Sequence, residues 1–240
     1  MNKAKILIFT FCLTVSSGHA TDIRSFITLA DVFFKKYITN GQVAYSKIKQ
    51  NSSDIEGLYK QIGDANLNAV DDTSKKAFYI NSYNLIAIYG ITKHYPLKSP
   101  MDVKGFFDKE LYTVAGEKMT LNDLEIKKLL QPYKDARFHF ALVCAARSCP
   151  LLPSFAFHPD RLDQQLTERA TLALNNKVWV KVYPEQKKVE LSKIFDWYKA
   201  DFTNDAKTLL EWINQFRKEK IPNHFVVGYY EYDWALNERK

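Results

Sequence analysis

The stretch Thr73–Tyr95, TSKKAFYINSYNLIAIYGITKHY, decides the architecture. Ala77, Phe78, Tyr79, Ile80, Tyr83, Leu85, Ile86, Ala87, Ile88 and Tyr89 fall on every side of a 3.6-residue helix. A helix that is apolar all round is one that other elements cover. A buried central helix is therefore predicted here. Asn81 and Asn84 lie three residues apart on it. Buried amides need partners, and two readings stay open: tying down a loop or another helix, or orienting a catalytic group or an oxyanion.

Around this helix the pattern alternates helices and hairpins. Phe26, Leu29, Ala30, Phe33 and Tyr37 give helical spacing over Asp22–Ile38, and Asn40-Gly41 marks a turn. Ser53–Ile62 is a weaker helix. Glu110–Met119 reads as a hairpin about Ala115-Gly116, with a helix following from about Asp123. Asp135–Val143 is predicted as a strand running into a Cys144–Cys149 loop. His158-Pro159-Asp160 opens an amphipathic helix to about Leu174. Val178–Tyr183 and Lys188–Leu191 form a second hairpin. Helices over about Ile194–Asp201 and Asp205–Phe216 and a strand over Phe225–Tyr230 complete the chain. Without βαβ spacing, the pattern predicts an α+β fold in which the central helix packs on an antiparallel sheet.

Residues 1–20 are set apart from this domain. Lys3 and Lys5 precede a short apolar run, Ile6–Val15, and Gly18-His19-Ala20 fits a cleavage site. This is the layout of a secretory signal peptide, and the run is too short to span a bilayer. Cys12 would leave with it. Residues 21–240 are then expected as one exported domain, periplasmic or secreted, with no stable membrane insertion. Removing Lys3 and Lys5, with no acid, lowers the net charge from +7 to +5. That charge is interspersed, which favours simple solubility over an acidic-polymer partner, and no nucleic-acid motif is present. The many Tyr and Phe residues read as an aromatic core.

Chemistry concentrates in Arg137–Pro150, RFHFALVCAARSCP. It holds the two cysteines of the mature chain and one of its four histidines. Imidazole can take a thiol proton or hold a thiolate. In an exported protein two cysteines usually pair, so Cys144 and Cys149 read either as a disulfide or as a functional thiol. Cys-x4-Cys with only His139 and His158 nearby is a poor zinc pattern, and no metal or cofactor is expected. A helical turn starting at Pro150 would favour a Cys149 thiolate through its dipole. Strand alternation puts His139 opposite Phe138 and Phe140, where it is either a core residue or a base. Glu125 is either the far end of a capping box, Asn122-x-x-Glu125, or the carboxylate that orients His139. Asp135 is a spare carboxylate. His94 and His158 look like helix-end or turn residues.

At these residues the chain resembles the DUF547 family. The segments that carry the resemblance are Ala77–Asn84, Thr120–Glu125, Arg137–Pro150, Leu191–Tyr198 and Tyr232–Asn237. Val143 and Ala145 depart from the Asn and Gly common in the family. The resemblance implies, by analogy, a papain-like or transglutaminase-like architecture, in which thiolate, histidine and polar orienter converge. The function it suggests is a cysteine-dependent hydrolase or acyl transferase acting on a peptide or peptide-like small substrate. Cys149 or Cys144 would be the nucleophile, His139 the base, Glu125 its orienter and Asn81 an oxyanion donor. The opposing expectation is a non-catalytic binding or scaffold domain with a Cys144–Cys149 disulfide, and a thiol–disulfide redox protein ranks third. Oligomeric state and substrate are left open.

Overall fold

The computed structural model describes residues 22–204 and 206–239. Residues 1–20, expected as a signal peptide, lie outside them. The fold is α+β, with small sheets set among helices. Helix α1 is Ile23–Tyr37, capped by the Asp22 side chain, which accepts from the Arg24 N–H. Strands β1 (Ile38–Thr39) and β2 (Gln42–Val43) form a tight hairpin. Asn40 and Gly41 turn it with φ of 50° and 79°, the left-handed pair that a two-residue hairpin demands. A Cβ on Gly41 would also sit 2.7 Å from the Leu151 side chain. Helices α2 (Tyr45–Gln50) and α3 (Ser53–Asp64) follow.

Helix α4, Asp72–His94, is the predicted central helix. Asp71 caps it through the Ser74 N–H. Phe78, Ile80, Leu85, Ile86, Ile88 and Ile91 are all buried, each worth roughly 1.5–3 kcal/mol of transfer free energy. Its principal neighbours are α1, α2, α3 and the helix that begins at Leu121. The central helix is thus sheathed mainly by other helices, where the sequence had suggested a sheet. The physical reason is that the strands are only two to four residues long and offer too little surface to cover 23 residues of helix.

Strands β3 (Tyr112–Val114) and β4 (Glu117–Met119) form the first predicted hairpin. Helix α5 is Leu121–Glu125. It widens to a π-helical turn over Ile126–Leu130 before α6, Gln131–Tyr133. Pro132 has no N–H to offer the α ladder; the Gln131 N–H reaches back to the Ile126 carbonyl. After α7 (Leu162–Leu174), strands β5 (Val180–Tyr183) and β6 (Lys188–Leu191) pair antiparallel, as expected. Helices α8 (Ile194–Trp197), α9 (Lys199–Thr203) and α10 (Leu209–Phe216) precede β7 (Val226–Tyr229). β7 joins β6 in parallel, so this sheet is mixed. Among the described residues no helix is long and apolar enough to cross a membrane.

Two local expectations are corrected. Asp135–Val143 is no strand: Ala136–Phe140 is a 3-10 turn. Asp135 caps it by accepting from the Arg137 N–H, and its carboxylate also grips the Arg137 guanidinium, Oδ2 to Nη2 at 2.8 Å. Arg137 Nη1 donates to Thr167 on α7. These local bonds outweigh the strand propensity of Phe138–Val143. The N-cap of α5 is Thr120, not Asn122. Thr120 Oγ1 accepts from the Asp123 N–H and the Asp123 carboxylate accepts from the Thr120 N–H. Glu125 therefore has no capping role.

Candidate functional site

Four sequence-predicted residues, Glu125, His139, Cys144 and Cys149, line one cavity of about 290 Å³. Tyr83, Phe107, Leu142, Trp197, Tyr198, Tyr232 and Trp234 are among its other walls. A larger cavity, about 460 Å³, lies beyond Tyr198 and Asp201. Its lining holds no thiol or imidazole, so the candidate thiols and imidazole line the smaller one.

Each side chain arrives from a different element. Glu125 ends α5 and is buried. Tyr198 and Tyr83 stand beside its carboxylate. Burial raises its pKa above the ordinary carboxylate range, and the Asp201 charge adds to this. The His139 charge and the two tyrosines act in the opposite direction. Burial likewise lifts the Tyr83 and Tyr232 hydroxyls well above their usual pKa, so both stay protonated donors.

His139 projects from the 3-10 turn and is buried, its ring 4.2 Å from that of Tyr198 and 5.1 Å from that of Phe202. Its Nε2 lies 2.8 Å from Asp201 Oδ2. The carboxylate hydrogen-bonded to His139 is thus Asp201 on α9, while the His139 charge opposes the rise in the Glu125 pKa.

Cys144 and Cys149 are joined by a disulfide. The chain from Cys149 to Pro153 forms no helical turn, so the helix-dipole expectation for Cys149 is corrected. Two other donors take that place. The Cys144 N–H lies 3.1 Å from Cys149 Sγ, and the Tyr232 hydroxyl 3.2 Å from it. Tyr232 also meets Cys144 Sγ at 3.2 Å. Cys149 is the more buried sulfur and Cys144 the more open one.

The asparagines of α4 are not part of the cavity. Asn81 Nδ2 donates to the Phe157 carbonyl and Asn81 Oδ1 accepts from the Phe157 N–H, both at 2.9 Å. Both ends of its amide hold backbone, so the oxyanion role expected of Asn81 is corrected to a tether. Asn84 does the same for Ala141 and Val143, just before Cys144. Asp135 is a cap, and His94 and His158 face Glu110 and Asp31 at the periphery.

Tyr83, Tyr198, Asp201, Trp197, Tyr232 and Trp234 were not singled out from sequence. The C-terminal segment brings two of them. Its Asn237 N–H bonds the Ala145 carbonyl, and its Ala235 carbonyl accepts from the Arg147 N–H. This strap lays Tyr232 over the disulfide and stacks Trp234 on Trp197, 5.9 Å between rings. The one available signal was that Leu191–Tyr198 and Tyr232–Asn237 carried the family resemblance without an assigned role. Among the described residues no group of His, Cys, Asp and Glu could hold a metal ion.

No curated protein and no solved structure matches the chain. Residues 67–172 match the family model described as "Protein of unknown function, DUF547". That span contains Tyr83, Glu125, His139, Cys144 and Cys149, and over it the chain is similar to the DUF547 family.

Proposed function

We propose that the cavity is a thiol-dependent acyl-transfer centre, a hydrolase or acyl transferase for peptide, isopeptide or thioester carbonyls, held in an oxidised form by Cys144–Cys149. The observation that carries this reading is the convergence of Glu125, His139, Cys144 and Cys149 on one cavity. Opening the site needs an external thiol as reductant. Its thiolate attacks Cys144, the more open sulfur, and Cys149 leaves as a thiolate that accepts from the Cys144 N–H and Tyr232. A second thiol releases Cys144, and the external pair leaves as a disulfide.

Cys149 then attacks the substrate carbonyl and forms a thioester. With Asp201 on Nε2, Nδ1 of His139 takes the proton that the external thiol gave up and passes it to the departing amine or thiolate. His139 next takes a proton from water or from an acceptor nucleophile, which cleaves the thioester. Glu125, Tyr83 and Tyr198 set the charge around the imidazole. The papain-like analogy and an exported location belong to this same proposal; a disulfide fits an oxidising compartment.

The test is the pH dependence of iodoacetamide alkylation of the reduced protein, with the modified cysteine located by mass spectrometry. Cys149 is expected to react with an apparent pKa well below about 8.5, moved upward in His139→Ala. An ordinary thiol profile that ignores His139→Ala would remove the catalytic reading. The bonded cysteines favour a second reading, a static binding or scaffold domain, and that result would leave it standing.

A further inference from the structure

Helix α7 buries Leu162, Gln165, Leu166, Arg169, Ala170 and Ala173 along one stripe. Arg169 occupies a place in that stripe where helical spacing calls for an apolar residue. It is 8% exposed. Its Nη2 donates to the Leu151 carbonyl, while its Nε is buried with no hydrogen-bond partner. Among the described residues no carboxylate forms an ion pair with it. Glu168, the adjacent acid, is exposed and accepts from Gln164. Burial lowers the Arg169 pKa to about 10. Arg137 shows the contrast, since it is paired with both Asp135 and Asp163. Buried charges in folded proteins are normally paired, so Arg169 has the character of half of an ion pair.

Arg169 lines a cavity of about 170 Å³ that Cys149 also borders. Arg147 lines it too, and among the described residues its one ion-pair carboxylate, Asp233, stands at 4.0 Å with both side chains more than half exposed. The remaining walls are mostly apolar and include Leu151, Leu172 and Val178. Two guanidinium groups over apolar walls suit an anion on a short hydrocarbon stem. The planar fork of arginine matches a carboxylate in particular.

We propose that this cavity is a carboxylate subsite. Arg169 and Arg147 pair with the carboxylate of a small aliphatic acid or of a peptide C-terminus, and the apolar stem lies along Leu151 and Leu172. The site does not depend on the thiol chemistry proposed for the neighbouring cavity, and it is tested in the oxidised protein.

Calorimetric titration at fixed ionic strength would use three probes: butyrate, a short peptide ending in leucine as the free acid, and the same peptide as its C-terminal amide. Binding of one or both acids, with the amide silent, supports the site. Binding of the peptide acid alone identifies a peptide terminus as the source, and binding of butyrate a free acid. Arg169→Met is expected to weaken the bound acid at least about tenfold, the scale of a lost charge-assisted pair. Arg147→Gln, at an exposed position, is expected to weaken it about threefold and decides the matter if Arg169→Met does not fold. Absence of binding by either acid, equal binding of the amide, or wild-type affinity in Arg147→Gln together with any folded Arg169→Met overturns the proposal.

Discussion

His139 Nε2 and Asp201 Oδ2 stand 2.8 Å apart across 62 residues of chain. The contact fixes which imidazole nitrogen is occupied and so which one is left for proton transfer. Asp201→Asn keeps the shape and removes the charge. Because Asp201 is more than a third exposed, screening limits the stability cost to about 1 kcal/mol. The expected result is a small loss in urea unfolding, together with a clear change in the pH profile of thiol alkylation after reduction. An unchanged profile would place Asp201 outside the machinery.

Glu125 is buried with its pKa raised. A carboxyl whose folded pKa exceeds its unfolded value binds more protons folded than unfolded between the two. Stability contributed by the protonated form is fully present below the unfolded pKa, about 4.5, and is lost as pH rises through the folded pKa. Glu125→Gln removes that dependence. The melting temperature of Glu125→Gln relative to the wild type is expected to climb as pH goes from about 4 to about 7. A difference that stays flat or falls over that window would contradict the raised pKa.

Tyr232 donates to Cys149 Sγ. In the reduced protein that hydroxyl favours the thiolate. Tyr232→Phe is expected to slow alkylation of Cys149 about three- to tenfold near neutral pH, the scale of one hydrogen bond to a charged sulfur. Stopped-flow alkylation would check it, and equal rates would leave Tyr232 a packing residue.

Asn84 and Asn81 each clamp a backbone donor and a backbone acceptor. Replacing either by Ala leaves two buried backbone groups unpaired, at roughly 2–4 kcal/mol. Denaturant titration should show similar losses for both. Only Asn84→Ala should also alter Cys144–Cys149 reactivity, because Asn84 holds the segment leading to Cys144.

The disulfide closes a loop with a sequence separation of only five. Chain entropy then assigns it about 2 kcal/mol. The Cys144→Ser, Cys149→Ser double variant should remain folded, with a melting temperature a few degrees lower. Global unfolding on reduction would make the bond a structural necessity and weaken the case for a working thiol.

Local periodicity and turn chemistry made much of this molecule legible in advance. The all-round apolar pattern of Thr73–Tyr95 specified α4, Asn40-Gly41 a turn and Ala115-Gly116 a hairpin, because such signals act over a few residues. Glu125, His139, Cys144 and Cys149 were legible as chemical candidates because proximity in sequence and residue type suffice for that. What tertiary structure alone decided is their arrangement. Strand propensity in Phe138–Val143 yielded to the Asp135 cap, which reoriented His139. Thr120 took the cap and freed Glu125. Asn81, expected at an oxyanion, was committed to the Phe157 backbone. Asp201 reached His139 through α9, from 62 residues away, and Tyr232 reached the disulfide through the C-terminal strap, 83 residues from Cys149. Contacts over such separations depend on how the helices and strap pack, and packing free energy is shared among many residues, so no short pattern encodes it.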